Sequence, residues 1–168
     1  SRICDNSLMW SHYADSHRGF VIGFDSSSGF FAPGGGKARD GLKSVRYSNR
    51  RYVMPKNAFH SVDDPNLRHA NARVFFTKGS YWRYEREVRI LAHPNSADAV
   101  LPGPNGQDIR LFNFPAESVK EVIFGFKMSE PDQHHAFDLV RSEYSLATIG
   151  KAFPHKSKFA VVVKSFAG

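Results

Sequence analysis

Apolar and polar positions follow several rhythms along the chain, and each predicts an element. Asp5 or Asn6 can cap a helix whose apolar residues, Leu8, Met9, Trp10, Tyr13 and Ala14, recur at helical spacing. That helix is expected over residues 7–16, with Gly19 as its stop. Phe20-Val21-Ile22-Gly23-Phe24 is a nearly unbroken apolar run ending at Asp25, the pattern of a buried strand. Residues 26–41 are rich in Ser and Gly around Gly34-Gly35-Gly36 and read as a loop. Residues 42–47 alternate as a strand, with Leu42, Ser44 and Arg46 on one face. Asp63-Asp64-Pro65 starts a helix that runs to about residue 77 and places Leu67, Ala70 and Val74 together.

Further along, residues 84–92 read as a strand and 94–106 as a Pro/Asn/Gly loop. Residues 108–114 read as a second strand, forming a hairpin with the first. Residues 119–126 form a strand with an apolar middle. Pro131 opens a helix to about residue 144, turning Phe137, Leu139 and Val140 inward, and residues 159–166 close the chain as a strand. Strands mixed with helices, including a hairpin, argue for an α+β fold: one mixed or antiparallel sheet with about three helices. The length of 168 residues suits a single domain over 1–168.

Composition changes this picture little. Hydrophobic residues at 41% and 15 Phe supply a packed core and exclude a disordered tail, a collagen-like repeat and a coiled coil. No apolar run approaches the roughly 18 residues that cross a bilayer, so no membrane partner is expected. The single cysteine, Cys4, forms no internal disulfide and suits a reducing, cytoplasmic setting. The start at Ser1, with no signal-like stretch behind it, reads as a fragment or a trimmed chain.

Charge changes it more. An excess of 23 Lys and Arg over 16 Asp and Glu, net +7, favours polyanionic partners, nucleotide or nucleic acid. Its densest cluster, residues 37–52, holds Lys37, Arg39, Lys43, Arg46, Arg50 and Arg51 interleaved with Tyr47 and Tyr52. That mixture suits phosphate contacts with stacking rings, and equally a solvated loop and hairpin. The Gly-rich loop lacks the Gly-Lys-Ser/Thr ending of a phosphate-binding P-loop.

The segment richest in chemistry is 78–90, Lys-Gly-Ser-Tyr-Trp-Arg-Tyr-Glu-Arg-Glu-Val-Arg-Ile. On a strand, Glu85, Glu87 and Arg89 point one way and Arg86, Val88 and Ile90 the other. Three ionisable groups on one strand face suit a cleft wall with an oriented carboxylate, or a structural salt-bridge ladder. A carboxylate so placed can act as a base or bond a ribose hydroxyl. Glu-x-Glu spacing is similar to that of ADP-ribosyltransferases. The resemblance implies that the second Glu engages the nicotinamide ribose of NAD and supports an oxocarbenium-like transition state. In the first helix, Met9, His12 and Tyr13 share a face. His12 is either a core histidine, with Trp10 and Tyr13 as anchors, or a cleft residue beside Glu87. His12 and His17, five apart, and the adjacent His134 and His135 do not form a metal-binding pattern, so no metal is expected. No Gly-x-Ser-x-Gly elbow is present.

Leu-Met-Trp-Ser-His-Tyr-Ala at 8–14, His17-Arg18-Gly19-Phe20 and Ile22-Gly23-Phe24-Asp25 resemble the bacterial family known as domain of unknown function 2971. Lys78, Trp82, Tyr84, Glu85, Glu87 and Arg89 resemble its Lys-Ser/Gly…Trp-x-Tyr-Glu-x-Glu-x-Arg block, and Val122–Gly125 its Val-Ile-Phe-Gly strand. Against that family the chain resembles a member lacking its N-terminal part, with a long Gly-rich insertion at 26–41. The family is similar in part to proteins of abortive phage resistance, which implies a role in defence or toxicity.

Three readings follow. In the first, the chain is an NAD- or nucleotide-using transferase of ADP-ribosyltransferase-like type. Glu87 is then catalytic with Glu85 and His12, and Tyr13, Trp10, Arg18, Lys78, Trp82, Tyr84 and Arg89 bind the ligand. In the second, it is a basic nucleic-acid binder or nuclease. In the third, the Glu/Arg/His set is the polar network of a non-catalytic sensor or interaction domain.

Overall fold

The strand Val119–Phe124 shows why this sequence folds as it does. Val122 and Phe124 project from one face, Ile123 from the other, and all three are at most 4% exposed. A strand apolar on both faces must be covered on both. In the computed structural model, which describes residues 1–34, 41–53, 70 and 73–166, that is what the neighbouring elements do.

The fold is α+β. In chain order its main elements are α1 (Ser7–Tyr13), β1 (Phe20–Phe24), β2 (Lys43–Ser44), β3 (Arg46–Ser48), β4 (Thr77–Gly79) and β5 (Val88–Arg89). These are followed by β6 (Ala99–Pro102), β7 (Asp108–Leu111), β8 (Val119–Phe124), α2 (Glu130–Glu143), β9 (Thr148–Pro154) and β10 (Val161–Ser165). They fall into two compact units. The smaller holds Ser1–Arg2 and Lys43–Arg89, the larger Ile3–Leu42 and Ile90–Gly168.

The larger unit is built on a mixed sheet in the order β1-β8-β9-β10. β1 runs antiparallel to β8, β8 parallel to β9, and β9 antiparallel to β10. The parallel pair needs a crossover, and α2 supplies it. Ser129 caps α2, its side chain accepting from Asp132 N, and the second residue, Pro131, tolerates the first turn. The helix and its flanks pack Met128, Val140 and Ala147 against Val119, Val122, Phe124 and Ile149. On the opposite face, Trp10 and Ala14 of the α1 region pack against Ile123, Ala152 and Val161. Burying side chains such as Phe124 and Ile123 contributes about 1.5–3 kcal/mol each.

α1 is capped by Asn6, whose side chain accepts from Leu8 N and Met9 N. It is shorter than the 7–16 expected. Ala14 leaves helical geometry, and Asp15, Ser16 and His17 follow with φ of 44°, 53° and 71°. Three consecutive non-glycine residues in left-handed backbone cannot prolong a right-handed helix. His17 O accepts from Lys127 N (3.1 Å), and a Cβ on Gly125 would collide with that carbonyl. Glycine there allows the close approach.

The hairpin is also partnered differently. β7 pairs with β6, Ala99 opposite Leu111, so a strand lies within the stretch expected to be loop. Asn105 and Gly106 at its tip carry φ of 65° and 72°, the left-handed geometry that tight hairpins require. β9 was not anticipated.

The smaller unit contains two short pairings. β2 and β5 are antiparallel, Lys43 opposite Arg89 and Ser44 opposite Val88. β3 and β4 are parallel, Arg46 opposite Thr77. The expected strand over 42–47 is therefore divided at Val45, whose N–H donates to Glu87 O (2.9 Å), while Arg46 N–H donates to Phe76 O (2.7 Å). Most of the helix expected after Pro65 lies outside the described residues. Residues 70 and 73–75 are helical, and strand geometry has resumed by Thr77.

Candidate functional site

The expected strand over 84–92 is largely a different structure. Residues Ser80–Glu85 form a 3-10 helix, Arg86 turns in left-handed backbone (φ 44°), and only Val88–Arg89 is strand. The reason is electrostatic as well as local. From Lys78 to Glu85 a fully extended chain would span about 23 Å. The turn instead folds the two back into an ion pair.

A quartet results. Lys78 Nζ, carried by β4, donates to Glu85 Oε2 and to Glu87 Oε2 (3.2 Å). Arg89 grips Glu87 with two nitrogens, Nε to Oε1 at 2.5 Å and Nη2 to Oε2 at 3.1 Å. Its Nη1 donates to Phe75 O (2.5 Å). Tyr47 Oη accepts from Glu87 N–H (2.8 Å), and Ser1 Oγ donates to Glu85 O (2.7 Å). Glu85 is 2% exposed, buried as Val45, Ala70 and Phe76 are among the described residues of this unit. A buried carboxylate is tolerated only with a charge partner and hydrogen bonds.

The electrostatics follow from these contacts. The Arg89 hydrogen bonds, reinforced by Lys78, outweigh partial burial and hold the Glu87 carboxyl down at about 2. Burial pulls the Lys78 ammonium the other way, but its bonds to Glu85 and Glu87 prevail and raise it. Glu87 is therefore a fixed anion at neutral pH, an acceptor of hydrogen bonds and a weak base.

Lys78 also faces outward. Its ammonium lies 4.8 Å from the centre of the Trp82 ring, and Trp82 in turn lies 6.0 Å from Tyr84. Trp82 and Lys78 line a pocket of about 640 Å³ with Ser48, Arg50, Arg51, Tyr52, Arg73 and Tyr81 among its other walls. Arg73 lies over the Tyr52 ring at 5.3 Å. No acidic residue occurs among the described lining residues. Arg50, Arg51 and Arg73 form no ion pair with a described residue.

Of the residues singled out in the sequence, Lys78, Trp82, Tyr84, Glu85, Glu87 and Arg89 thus come together in the smaller unit. Arg50, Arg51 and Tyr52 of the basic cluster line the adjoining pocket, while Lys37 and Arg39 lie outside the described residues. Arg73 and Tyr81 were not anticipated. Both stand in runs whose periodicity is unremarkable, and only the β3–β4 pairing brings them beside Arg50.

The α1 residues belong to the larger unit. Trp10 is 1% exposed, with its indole N–H donating to Cys4 O (2.7 Å). Tyr13 is 59% exposed and His12 is exposed beside it, their rings 6.3 Å apart. Arg18 is exposed and bidentate to Asp15 at 2.9 and 3.0 Å. The buried histidine here is His17, stacked on Trp10 and tilted against Phe126. Its Nε2 meets Ser11 Oγ at 3.3 Å and its Nδ1 has no partner. Burial, assisted by Lys127, lowers its pKa. An apolar cavity of about 430 Å³ also opens between α2 and the β1–β8 face, floored by Val119, Val122 and Met128.

Among the described residues, no group of three or more His, Cys, Asp or Glu is placed to hold a metal ion. No helix of the described residues is long and apolar enough to cross a membrane. Residues 9–90, just under half the chain, match the model of a family described as "Protein of unknown function (DUF2971)", so the chain is similar to that family over both the α1–β1 motif and the quartet. No curated protein and no solved structure matches the chain.

Proposed function

We propose that the Lys43–Arg89 unit binds a nucleotide, with phosphates on its arginines and the base against its rings. One observation carries this reading. A pocket of about 640 Å³, within the range that small-molecule ligands occupy, presents Arg50, Arg51 and Arg73 without ion-pair partners among the described residues, beside Tyr52, Tyr81 and Trp82. Arginine forks match phosphate oxygens two at a time, and aromatic faces accept a base. The quartet supports the pocket by fixing Lys78 on its wall.

Transfer of ADP-ribose from NAD to a nucleophile, water in the assay below, with the glycosidic bond broken and nicotinamide leaving, is the catalytic extension of this reading. Glu87 is ionised and oriented, as an acceptor for a ribose hydroxyl must be, and Lys78 belongs to both the quartet and the pocket wall. Calorimetric titration of ADP, ADP-ribose and NAD into the full chain tests both steps. Arg50→Ala with Arg73→Ala is expected to weaken binding at least tenfold, about 1.4 kcal/mol. Equal binding by the wild-type and doubly substituted proteins would refute the pocket assignment. Nicotinamide release by the wild type, lost in Glu87→Gln with binding retained, is the signature of transfer. No release by the wild type refutes transfer and leaves binding standing.

A further inference from the structure

The positive charge of this chain is segregated. The unit formed by Ser1–Arg2 and Lys43–Arg89 carries twelve Lys and Arg against four Asp and Glu, a net +8. The larger unit carries eleven against twelve, a net −1. The whole excess therefore sits on the smaller unit, the one that holds the pocket.

Among the described residues of the unit, little of that charge is neutralised. Its two described acids, Glu85 and Glu87, are held by Lys78 and Arg89. The other two, Asp63 and Asp64, lie outside the described residues. Arg46, Arg50, Arg51, Arg73, Arg83 and Arg86 are all exposed and form no ion pair with a described residue. Arg46 stands on β3, which also supplies Ser48 to the pocket. Arg83 and Arg86 stand on and just beyond the 3-10 helix that supplies Tyr81 and Trp82.

Rings accompany the arginines. Tyr81 is 90% exposed, an unusual position for a large aromatic side chain, and Trp82 is 39% exposed. One mononucleotide offers a single base and a few negative charges clustered at one end. Six dispersed arginines and more than one ring exceed what it can engage. A single-stranded nucleic acid repeats one phosphate and one unstacked base per nucleotide, which is the combination displayed here. A duplex keeps its bases stacked inside, and an anionic membrane offers charge with no rings to stack.

We infer that the smaller unit is a single-stranded nucleic-acid-binding surface, with the nucleotide pocket holding one residue of the strand. The inference rests on the pocket reading above and extends it from monomer to polymer. It is a binding assignment and requires no covalent step.

Fluorescence anisotropy of labelled twelve-nucleotide oligo(U) and oligo(dT), titrated with the full chain, tests it. ADP binding is measured in parallel. Engagement of four phosphates weakens oligonucleotide binding about 50-fold between 50 and 200 mM salt, and each of Arg50→Ala and Arg73→Ala makes the log–log salt slope shallower by about 0.7. Tyr81→Ala, a surface change that leaves the fold intact, costs about 5- to 150-fold with the slope unchanged. Lys156→Ala, removing an exposed charge from the larger unit, alters neither. ADP binding with no gain for the twelve-mer overturns the inference and leaves the pocket reading intact. Absence of binding to both ligands overturns both. Duplex DNA or phosphatidylserine vesicles bound as tightly as oligo(U), with Tyr81→Ala indifferent, also overturns the inference.

Discussion

Lys78→Met is the most informative single perturbation of the quartet. Lys78 is the ion-pair partner of Glu85, whose side chain is 3% exposed, and a second partner of Glu87, whose side chain is 23% exposed. Removing one member of a buried pair costs about 3–5 kcal/mol, because the remaining charge stays buried. Glu85 has further interactions, which places its share near the lower bound, about 3 kcal/mol. Glu87 keeps both Arg89 bonds and adds less than about 1 kcal/mol. With a urea slope of about 1–3 kcal/mol per molar, the midpoint should fall by at least about 1 M. Tryptophan fluorescence follows the transition. Trp82 lies in this unit and Trp10 in the other, so comparison with Trp82→Phe separates the two signals. Neutralising the stranded acid in Lys78→Met/Glu85→Gln should return about 2 kcal/mol, a coupling that a double-mutant cycle reads directly. A loss below about 0.5 kcal/mol for Lys78→Met, or strictly additive losses in the double variant, would refute the claim that Lys78 balances Glu85.

Two further predictions concern pH. The Glu87 carboxyl sits at about 2 in the folded state against an ordinary 4.5, so its stabilisation is complete above the ordinary value and disappears as pH falls towards about 2. After allowance for solvent screening this amounts to about 1–2 kcal/mol, and acid unfolding of Glu87→Gln should show a correspondingly flatter limb. His17 behaves differently: its folded pKa lies below 6.5, so the unfolded chain takes up the proton first. Stability of the larger unit should therefore decline as pH drops below 6.5, levelling once the folded-state value is passed. Proton NMR titration of the His17 ring checks this, and a midpoint at or above 6.5 would contradict its burial.

The elements that sequence pattern disclosed are those with a continuous pattern of their own. Phe20–Phe24, Val119–Phe124 and the Pro131 helix form an apolar run, a two-faced strand and an amphipathic turn sequence, and each appears close to its expected bounds. Burial follows only in part: Val119–Phe124 is largely buried, whereas Phe20, Ile22 and Phe24 on the edge strand β1, and Leu139 on α2, are exposed rather than inside. Phe20, Ile22 and Leu139 line the open apolar cavity beside α2 instead of packing against a covering layer. β9 escaped notice because Thr148-Ile149-Gly150-Lys151-Ala152-Phe153-Pro154 breaks every apolar run with Gly, Lys or Pro. Its strand is imposed by β8 and β10 on either side. Gly150 is needed there, since a Cβ would meet Val163 Cγ1 at 2.7 Å. At the site, the grouping of Glu85, Glu87 and Arg89 was visible, but the alternation that suggested one strand face was misleading. A buried ion pair between residues seven apart outweighed β-propensity in Tyr81, Trp82 and Tyr84. The pocket was half visible, because Arg50 and Arg51 are neighbours in sequence whereas Arg73 reaches them only through tertiary pairing. His17 was overshadowed by His12, whose helical spacing looked more like that of a core residue. The irregular turn that buries His17 leaves no periodic trace.

The pairing of Lys43 with Arg89 has a consequence for the order of folding. The segment Lys43–Arg89, which with Ser1–Arg2 makes up the smaller unit, begins and ends on paired strands, so its two ends meet. β1 and β8, which it separates, must find each other across a long stretch of chain. Once β2 and β5 close, the segment between them no longer counts as slack, and the loop that β1 and β8 must close is shortened to roughly half. Each halving of a flexible loop relieves about 0.6 kcal/mol of closure entropy, about a threefold gain in the chance of encounter. Closing β2 on β5 thus shortens the search that joins β1 to β8. Substitutions at Lys43 or Arg89 that weaken this closure should slow assembly of that sheet even where they leave its finished form untouched.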